Sequence, residues 1–344
     1  MGKTGERCVS DLPVKTELAV ILLLLAPASS LLPYAATPYS AGLVREEGSI
    51  DTMGTLFAIV AYGKSHESVR AAISNALDEA ARVDRLLSNY QPDSEWSRVN
   101  RLAAEQAVPV SPELFDLLAA CKRYNERSEG TFDISVGPLM KLWGFYQHSG
   151  HLPDAAAVRR VLGLVSDRNV ILDPVNRTVR FAKRGVELDP GGIGKGYAVD
   201  RMVDILRRCG ISAALVSAGG SSIYGLGAPP DTSGWRIDLP APEAGSARAG
   251  SITLCDESLS TSGSTEKFFY ADGRRWSHIM DPRTGFPAQG VLSVSVVAPR
   301  TIDSEAWAKP YFILGREWTA KHKPKIFRAY MCEDKPGAKC SWIN

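Results

Sequence analysis

Four glycines, a lysine and two aspartates crowd one short stretch, Leu188 to Asp200 (LDPGGIGKGYAVD), and their order suits the holding of an anion. From Ile193 onward the apolar residues Ile193, Tyr197, Ala198, Met202, Ile205, Leu206 and Cys209 recur on one helical face, and Gly210 stands where that helix would end. Gly191, Gly192, Gly194 and Gly196 therefore lie at or just before a helix N-terminus. Backbone N–H groups lack partners there, the helix dipole favours negative charge, and glycine lets a ligand approach the main chain closely. Phosphate is the natural guest. Lys195 would add a cation, and Asp189 would accept a hydrogen bond from a ligand donor. The pattern is neither GxxxxGK[ST] nor GxGxxG, so a tight structural turn is the competing reading.

A second element, Trp276 to Ala288 (WSHIMDPRTGFPA), sets a histidine beside a turn. Asp281-Pro282-Arg283-Thr284-Gly285 is a strong turn signal, which places His278 at the end of the preceding strand. Imidazole titrates near neutral pH, so a histidine held there can take a proton from a hydroxyl as a general base. A purely structural histidine is the competing reading. His148 and His151 flank Ser149-Gly150 and read as loop residues, and no CxxC or Cys/His cluster has zinc spacing.

The elements that must hold these stretches follow from periodicity. Met53 to Tyr62 (MGTLFAIVAY) reads as a first strand, and Ser65 starts a long helix. Val69, Ile73, Ala76, Leu77, Ala80, Val83 and Leu87 recur along it at three- and four-residue spacing, so one face is buried. Ser111-Pro112-Glu113, an N-cap with proline in the first turn, starts a second helix that ends near Gly130 and buries Leu114, Leu117, Leu118 and Cys121. Residues 155 to 163 look helical, and 170 to 189 read as a hairpin turning at Asp173 to Asn176. From Ile211 strands follow in series, with a helix over Ser304 to Leu314 and a last strand at KIFRAYMC. Strands in series, without regular strand–helix alternation, point to an α+β fold of largely antiparallel strands with packed helices.

The chain has 344 residues, a formal charge of +2 and 44% hydrophobic residues, as a folded globular protein should. Its 40 basic and 38 acidic residues are interspersed, which argues against nucleic acid as a partner. Leu18 to Ala28 (LAVILLLLAPA) is a short apolar run closing on Ala26-Pro27-Ala28, the form of an export signal with an A-x-A-like cleavage site. Leu31 and Leu32 extend the apolar character, so an uncleaved anchor is the alternative. Residues 1–45 are read as signal and linker, and 46–344 as one domain that is exported to the periplasm or held at the inner membrane. Cys332 and Cys340 lie near one another, and an exported chain would be free to join them. Cys121 and Cys209 fall on apolar helix faces, as buried free thiols do.

The two chemical stretches, in this order, resemble the ApbE-type FAD:protein FMN transferases, and the likeness runs from Met53 to about Gly315. MGTLF looks like the family's opening motif, LSNYQPDSEWSRVN like its Ser/Tyr/Asn-spaced region, and GTFDISVGPLMKLWGF like its F-D-I-T-V-G-P-L segment. LDPGGIGKGYAVD and HIMDPRTGFP resemble its two signatures. The resemblance implies FAD contacts at Met53, Tyr90, Thr131, Phe132, Asp133, Asp189, Lys195 and Met280, a magnesium ion on the Gly192 carbonyl, and His278 as the base. It further implies transfer of FMN from FAD to a Thr or Ser of an acceptor flavoprotein subunit, exported or membrane-bound, through a phosphoester, with release of AMP.

The chain departs from the family at SEAWAKPYFILG, where the family has D-A-x-x-T and draws two more magnesium ligands. Glu305 stands at the aspartate and Lys309 at the threonine. Glutamate still offers hard oxygens, but an ammonium cannot ligate. Pro310 is expected to turn Lys309 away from the ion. A smaller departure is Ser221 in SAGGSS, where the family often has G-G-D. Two other activities remain open: an FAD pyrophosphatase giving FMN and AMP, and a non-enzymatic FAD-binding protein in which Lys309 has abolished the metal site.

Overall fold

The computed structural model describes residues 42–147, 149–239, 250–335 and 340–344. The signal-like run Leu18 to Ala28 and His148 lie outside the described residues.

One eight-stranded sheet carries the molecule: β1 (Val44–Thr52), β2 (Thr55–Gly63), β3 (Ala213–Ala218), β4 (Ser222–Leu226), β5 (Glu257–Gly263), β6 (Val291–Ala298), β7 (Arg328–Glu333) and β8 (Ser341–Ile343). The strands lie side by side in chain order, and each neighbouring pair is antiparallel. The α+β fold expected from strands in series is the one observed. Six helices fall between β2 and β3: α1 (His66–Leu87), α2 (Glu95–Leu102), α3 (Pro112–Arg127), α4 (Gly137–Leu142), α5 (Ala155–Leu162) and α6 (Gly194–Arg208). A seventh, α7 (Thr301–His322), joins β6 to β7.

The first strand expected at Met53 is the second arm of a hairpin. Met53 and Gly54 form its turn with φ of 51° and 69°, the positive values that a two-residue hairpin turn needs. β1 escapes notice because its inward positions include Gly48, where an added Cβ would lie 2.7 Å from Ile73 of α1. The helix lies close on that strand. The expected hairpin at 170–189 is shorter than read, with strands Val170–Asp173 and Thr178–Phe181 around the turn at Asp173.

Alternation decides the core. Phe57, Ile59 and Ala61 of β2 and Ala214, Val216 and Ala218 of β3 are buried with α1, α3 and α6. Val294, Val296 and Ala298 of β6 are buried with Trp307, Ala308, Tyr311 and Phe312 of α7. Val297 points the other way, with Ile223 and Leu259, into a cluster shared with the hairpin Trp235–Leu239/Gly250–Leu254. Burying both faces removes this apolar surface from water and holds the sheet as a rigid platform.

Two corrections concern the ends of elements. The helix expected at Ser304 to Leu314 runs from Thr301 to His322, broken only at Gly315 with φ 75°. Cys209 is exposed at the end of α6 rather than buried, while Cys121 is buried. Cys332 and Cys340 are joined in a disulfide.

Candidate functional site

Two helix starts meet at the site, and each is capped by a carboxylate from the other helix. α6 has no side-chain cap of its own; Glu305 of α7 accepts the Gly196 N–H. α7 likewise lacks a cap, and Asp200 of α6 accepts the Thr301 N–H at 2.7 Å and the Ile302 N–H at 3.1 Å. Carboxylates placed there satisfy orphan donors and oppose the helix dipoles. This exchange requires the helices to come very close, which explains Gly196.

Each glycine before or within the first turn of α6 faces a residue singled out from the sequence. A Cβ at Gly194 would lie 3.1 Å from Met53 Cε, one at Gly192 3.4 Å from the Phe132 ring and 3.9 Å from Lys309 Cε, and one at Gly196 2.8 Å from Glu305 Oε2. Met53, Phe132, Glu305 and Lys309 are thereby brought to the same helix start. Asp189 joins them from below: its carboxylate accepts the Gly191 N–H and, at 2.6 Å, the Tyr146 hydroxyl. Lys195 donates to the Ser221 hydroxyl at the β3–β4 turn.

The segment feeding this start is pinned by the LSNYQPDSEWSRVN stretch. Asn100 accepts the Leu188 N–H at 2.7 Å and donates to the Leu188 carbonyl at 2.9 Å, which the Trp96 indole also reaches at 3.1 Å. Ser94 and Ser97 both donate to the Ser88 carbonyl. The motif's serines and asparagine thus work as scaffold. Tyr90 is different: it is 76% exposed, with its ring edge-on to Tyr146 at 6.4 Å. Tyr146 was not singled out in the sequence, and its only signal there is its position directly after LWGF.

Three other positions do not offer free side chains. Thr131 donates to the Ser128 carbonyl at 2.7 Å. Asp133 accepts from Ser135 N–H and hydroxyl, Asn125 and the Asp167 N–H. Burial raises its pKa against those hydrogen bonds. Their work is to set the turn that carries Phe132. Met280 is buried among Leu139, Trp143, Phe145 and Trp276. That cluster fastens the Asp281 to Gly285 turn, for the Trp143 indole donates to the Gly285 carbonyl at 3.0 Å.

His278 is half-buried beside this cluster, 6.5 Å from the Phe145 ring. Its Nδ1 lies 3.2 Å from the Lys267 carbonyl. A carbonyl can only accept, so Nδ1 carries the proton and Nε2 keeps its lone pair. Burial lowers the imidazole pKa to about 4, the Lys267 carbonyl opposes that, and the charges of Lys267, Lys309 and Lys195 lower it further. The ring is neutral at pH 7 and close enough to both lysines to feel them.

Lys309 points into the site, not away from it. Its ammonium donates to the Glu305 carbonyl at 3.2 Å and stands 3.8 Å from Glu305 Oε1. Side chains on a helix lean toward its N-terminus, so residue 309 reaches back one turn over residue 305. Pro310 removes a backbone donor without rotating its neighbour, and the helix keeps helical angles there. Burial lowers the Lys309 pKa, Glu305 pulls it up, and Lys195 lowers it again.

Gly192 and Glu305 do not make a fitting magnesium site beside that ammonium. One Glu305 oxygen is taken by the Gly196 N–H, the other faces Lys309, and the Glu305 carbonyl accepts the Lys309 proton. Magnesium demands near-octahedral oxygens at about 2.0–2.1 Å, and a cation in contact with its ligand repels it. Among the described residues no group of three or more His, Cys, Asp or Glu could hold a metal ion.

Known proteins resemble this chain in sequence and in fold. The ApbE family model matches residues 53–328. An FAD:protein FMN transferase of Klebsiella pneumoniae (strain 342) is 37% identical over 257 residues, covering 74% of this chain and 78% of the relative. Another, of Treponema pallidum (strain Nichols), is 34% identical over 281 residues, covering 77% of each. The solved ApbE protein of Thermotoga maritima MSB8 superposes with a TM-score of 0.79 at 28% identity, covering 87% of this chain and 96% of that one. The flavin transferase ApbE from Vibrio cholerae gives 0.74 at 26% identity over the same shares. The matched span takes in both helix starts, the glycines between them and His278, and the chain belongs to the ApbE family.

Proposed function

We propose that this chain is an FAD:protein FMN transferase. The observation that carries the reading is the α6 start itself, where Lys195 and Lys309 stand among glycines and Met53 and Phe132 close the space, with His278 held by the Lys267 carbonyl so that Nε2 is left to accept a proton. Phosphoryl transfer asks a protein mainly for positioning and charge neutralisation. The FAD diphosphate lies at the α6 start, against Lys195, with the flavin and adenine ends flanked by Met53, Phe132 and Tyr90. Nε2 of His278 takes the proton of an acceptor Thr or Ser hydroxyl. The oxygen forms a bond to the FMN-side phosphorus as the bridging P–O bond breaks, and AMP leaves with the electron pair. Tyr146 holds Asp189, and so the Gly191 backbone, in place throughout. No step is routed through magnesium, because the donors do not fit it.

Incubation with FAD and a candidate acceptor domain, followed by intact-mass measurement, tests the reading. The expected result is an acceptor heavier by one FMN. Free FMN without that gain makes the chain a pyrophosphatase, and unchanged FAD makes it a binding protein. Lys195→Ala is expected to weaken FAD binding about 10- to 100-fold, since a charge-assisted contact to phosphate is worth roughly 1.5–3 kcal/mol. Unaltered affinity, read by flavin fluorescence, would move the diphosphate elsewhere.

The Cys332–Cys340 disulfide supports export to the periplasm or its membrane face, where disulfides persist. Among the described residues no helix is long and apolar enough to cross a membrane. Finding the chain in the cytosol with both thiols reduced would rule export out.

A further inference from the structure

We propose that Lys309 stands in for the divalent cation, so that Lys195 and Lys309 together neutralise the FAD diphosphate and the chain binds FAD without magnesium. This rests on the FAD-binding part of the flavin-transferase reading, and it deepens that reading by naming the cation the site uses. An ammonium has three protons to donate. One goes to the Glu305 carbonyl at 3.2 Å, and the Glu305 Oε1 at 3.8 Å lies beyond hydrogen-bond reach. Two protons remain for phosphate oxygens.

The position is right for that role. Lys309 Cε comes within 3.9 Å of where a Cβ at Gly192 would sit, so the lysine side chain lies against the glycine that leads into α6. Glu305 does not need Lys309 to be held: the carboxylate already accepts the Gly196 N–H at the positive end of α6. FAD carries two negative charges on its diphosphate, and two ammonium groups balance them. A magnesium ion added between them would meet like charge on both sides.

The test is FAD binding to the full chain, read by flavin fluorescence in excess EDTA and again in millimolar magnesium. The parental protein is expected to bind FAD equally, within twofold, in both. Lys309→Thr, which restores a hydroxyl, is expected to bind at least tenfold more weakly in EDTA and to regain affinity when magnesium is added. Lys309→Arg keeps the charge and is expected to stay magnesium-independent. Thermal melting of each variant separates misfolding from lost binding. A parental protein whose FAD affinity rises tenfold or more with magnesium overturns the proposal, and so does a folded Lys309→Thr that binds FAD in EDTA at the parental level. Because binding is read apart from transfer, a chain that binds as expected yet labels no acceptor would sink the transferase reading and leave this one standing.

Discussion

His278→Asn is expected to keep FAD bound and to slow FMN transfer by about 100-fold or more, the usual scale for a positioned general base. Asparagine can still donate to the Lys267 carbonyl, so the local fold is retained while the Nε2 lone pair is lost. The pH profile gives an independent check. The folded pKa of about 4 lies below the ordinary imidazole value, so the neutral, proton-accepting form is present at all pH values above about 5. The kcat/KM for transfer should therefore be flat down to about pH 5 and fall tenfold per unit below pH 4, and this limb should vanish in the asparagine variant. Stability follows the same sign. The unfolded chain takes up this proton first, so stability due to neutral His278 is full above about pH 6.5 and is lost as pH falls toward 4. A parental transfer rate in His278→Asn would make the histidine structural.

Much of this site is legible in the sequence because the signals are local. Ser65 and Ser111 do cap α1 and α3, and the glycine run does sit at the α6 start. What stays hidden is settled by partners distant in the chain. The α7 start shows no cap in its own sequence, since Asp200 supplies it from 101 residues away. Lys309 reads as a disruption of a ligand set, and its direction follows only from the lean of helical side chains onto Glu305. Likeness to a family names Thr131 and Asp133 but not the atoms that matter, and their side-chain oxygens turn out to be taken up in shaping the turn that presents Phe132. Tyr146 carries no motif at all; its hydroxyl matters because α4 lies beside the Asp189 segment.

Gly196→Ala is expected to damage both the stability of the fold and FAD binding. Its Cβ would lie 2.5 Å from the Thr301 carbonyl oxygen and 2.8 Å from Glu305 Oε2, both inside any tolerated contact. The Thr301 oxygen is backbone, and Asp200 holds that turn through the Thr301 and Ile302 N–H groups. α7 can therefore retreat only by giving up its cap, and the Glu305 bond to the residue 196 N–H goes with it. Overpacking costs about 1–3 kcal/mol and a lost cap about 1 kcal/mol, which together should lower Tm by roughly 4–8 °C. The same displacement moves Lys309, carried on α7, away from Lys195, carried on α6, so FAD affinity should fall by about tenfold or more in the protein that remains folded. Gly163→Ala is the matched control, because its Cβ would meet nothing closer than 3.7 Å. Parental Tm and FAD affinity in Gly196→Ala would mean that the two helix starts lie further apart than the reciprocal caps require, and the coupling of Lys195 to Lys309 would fail with them.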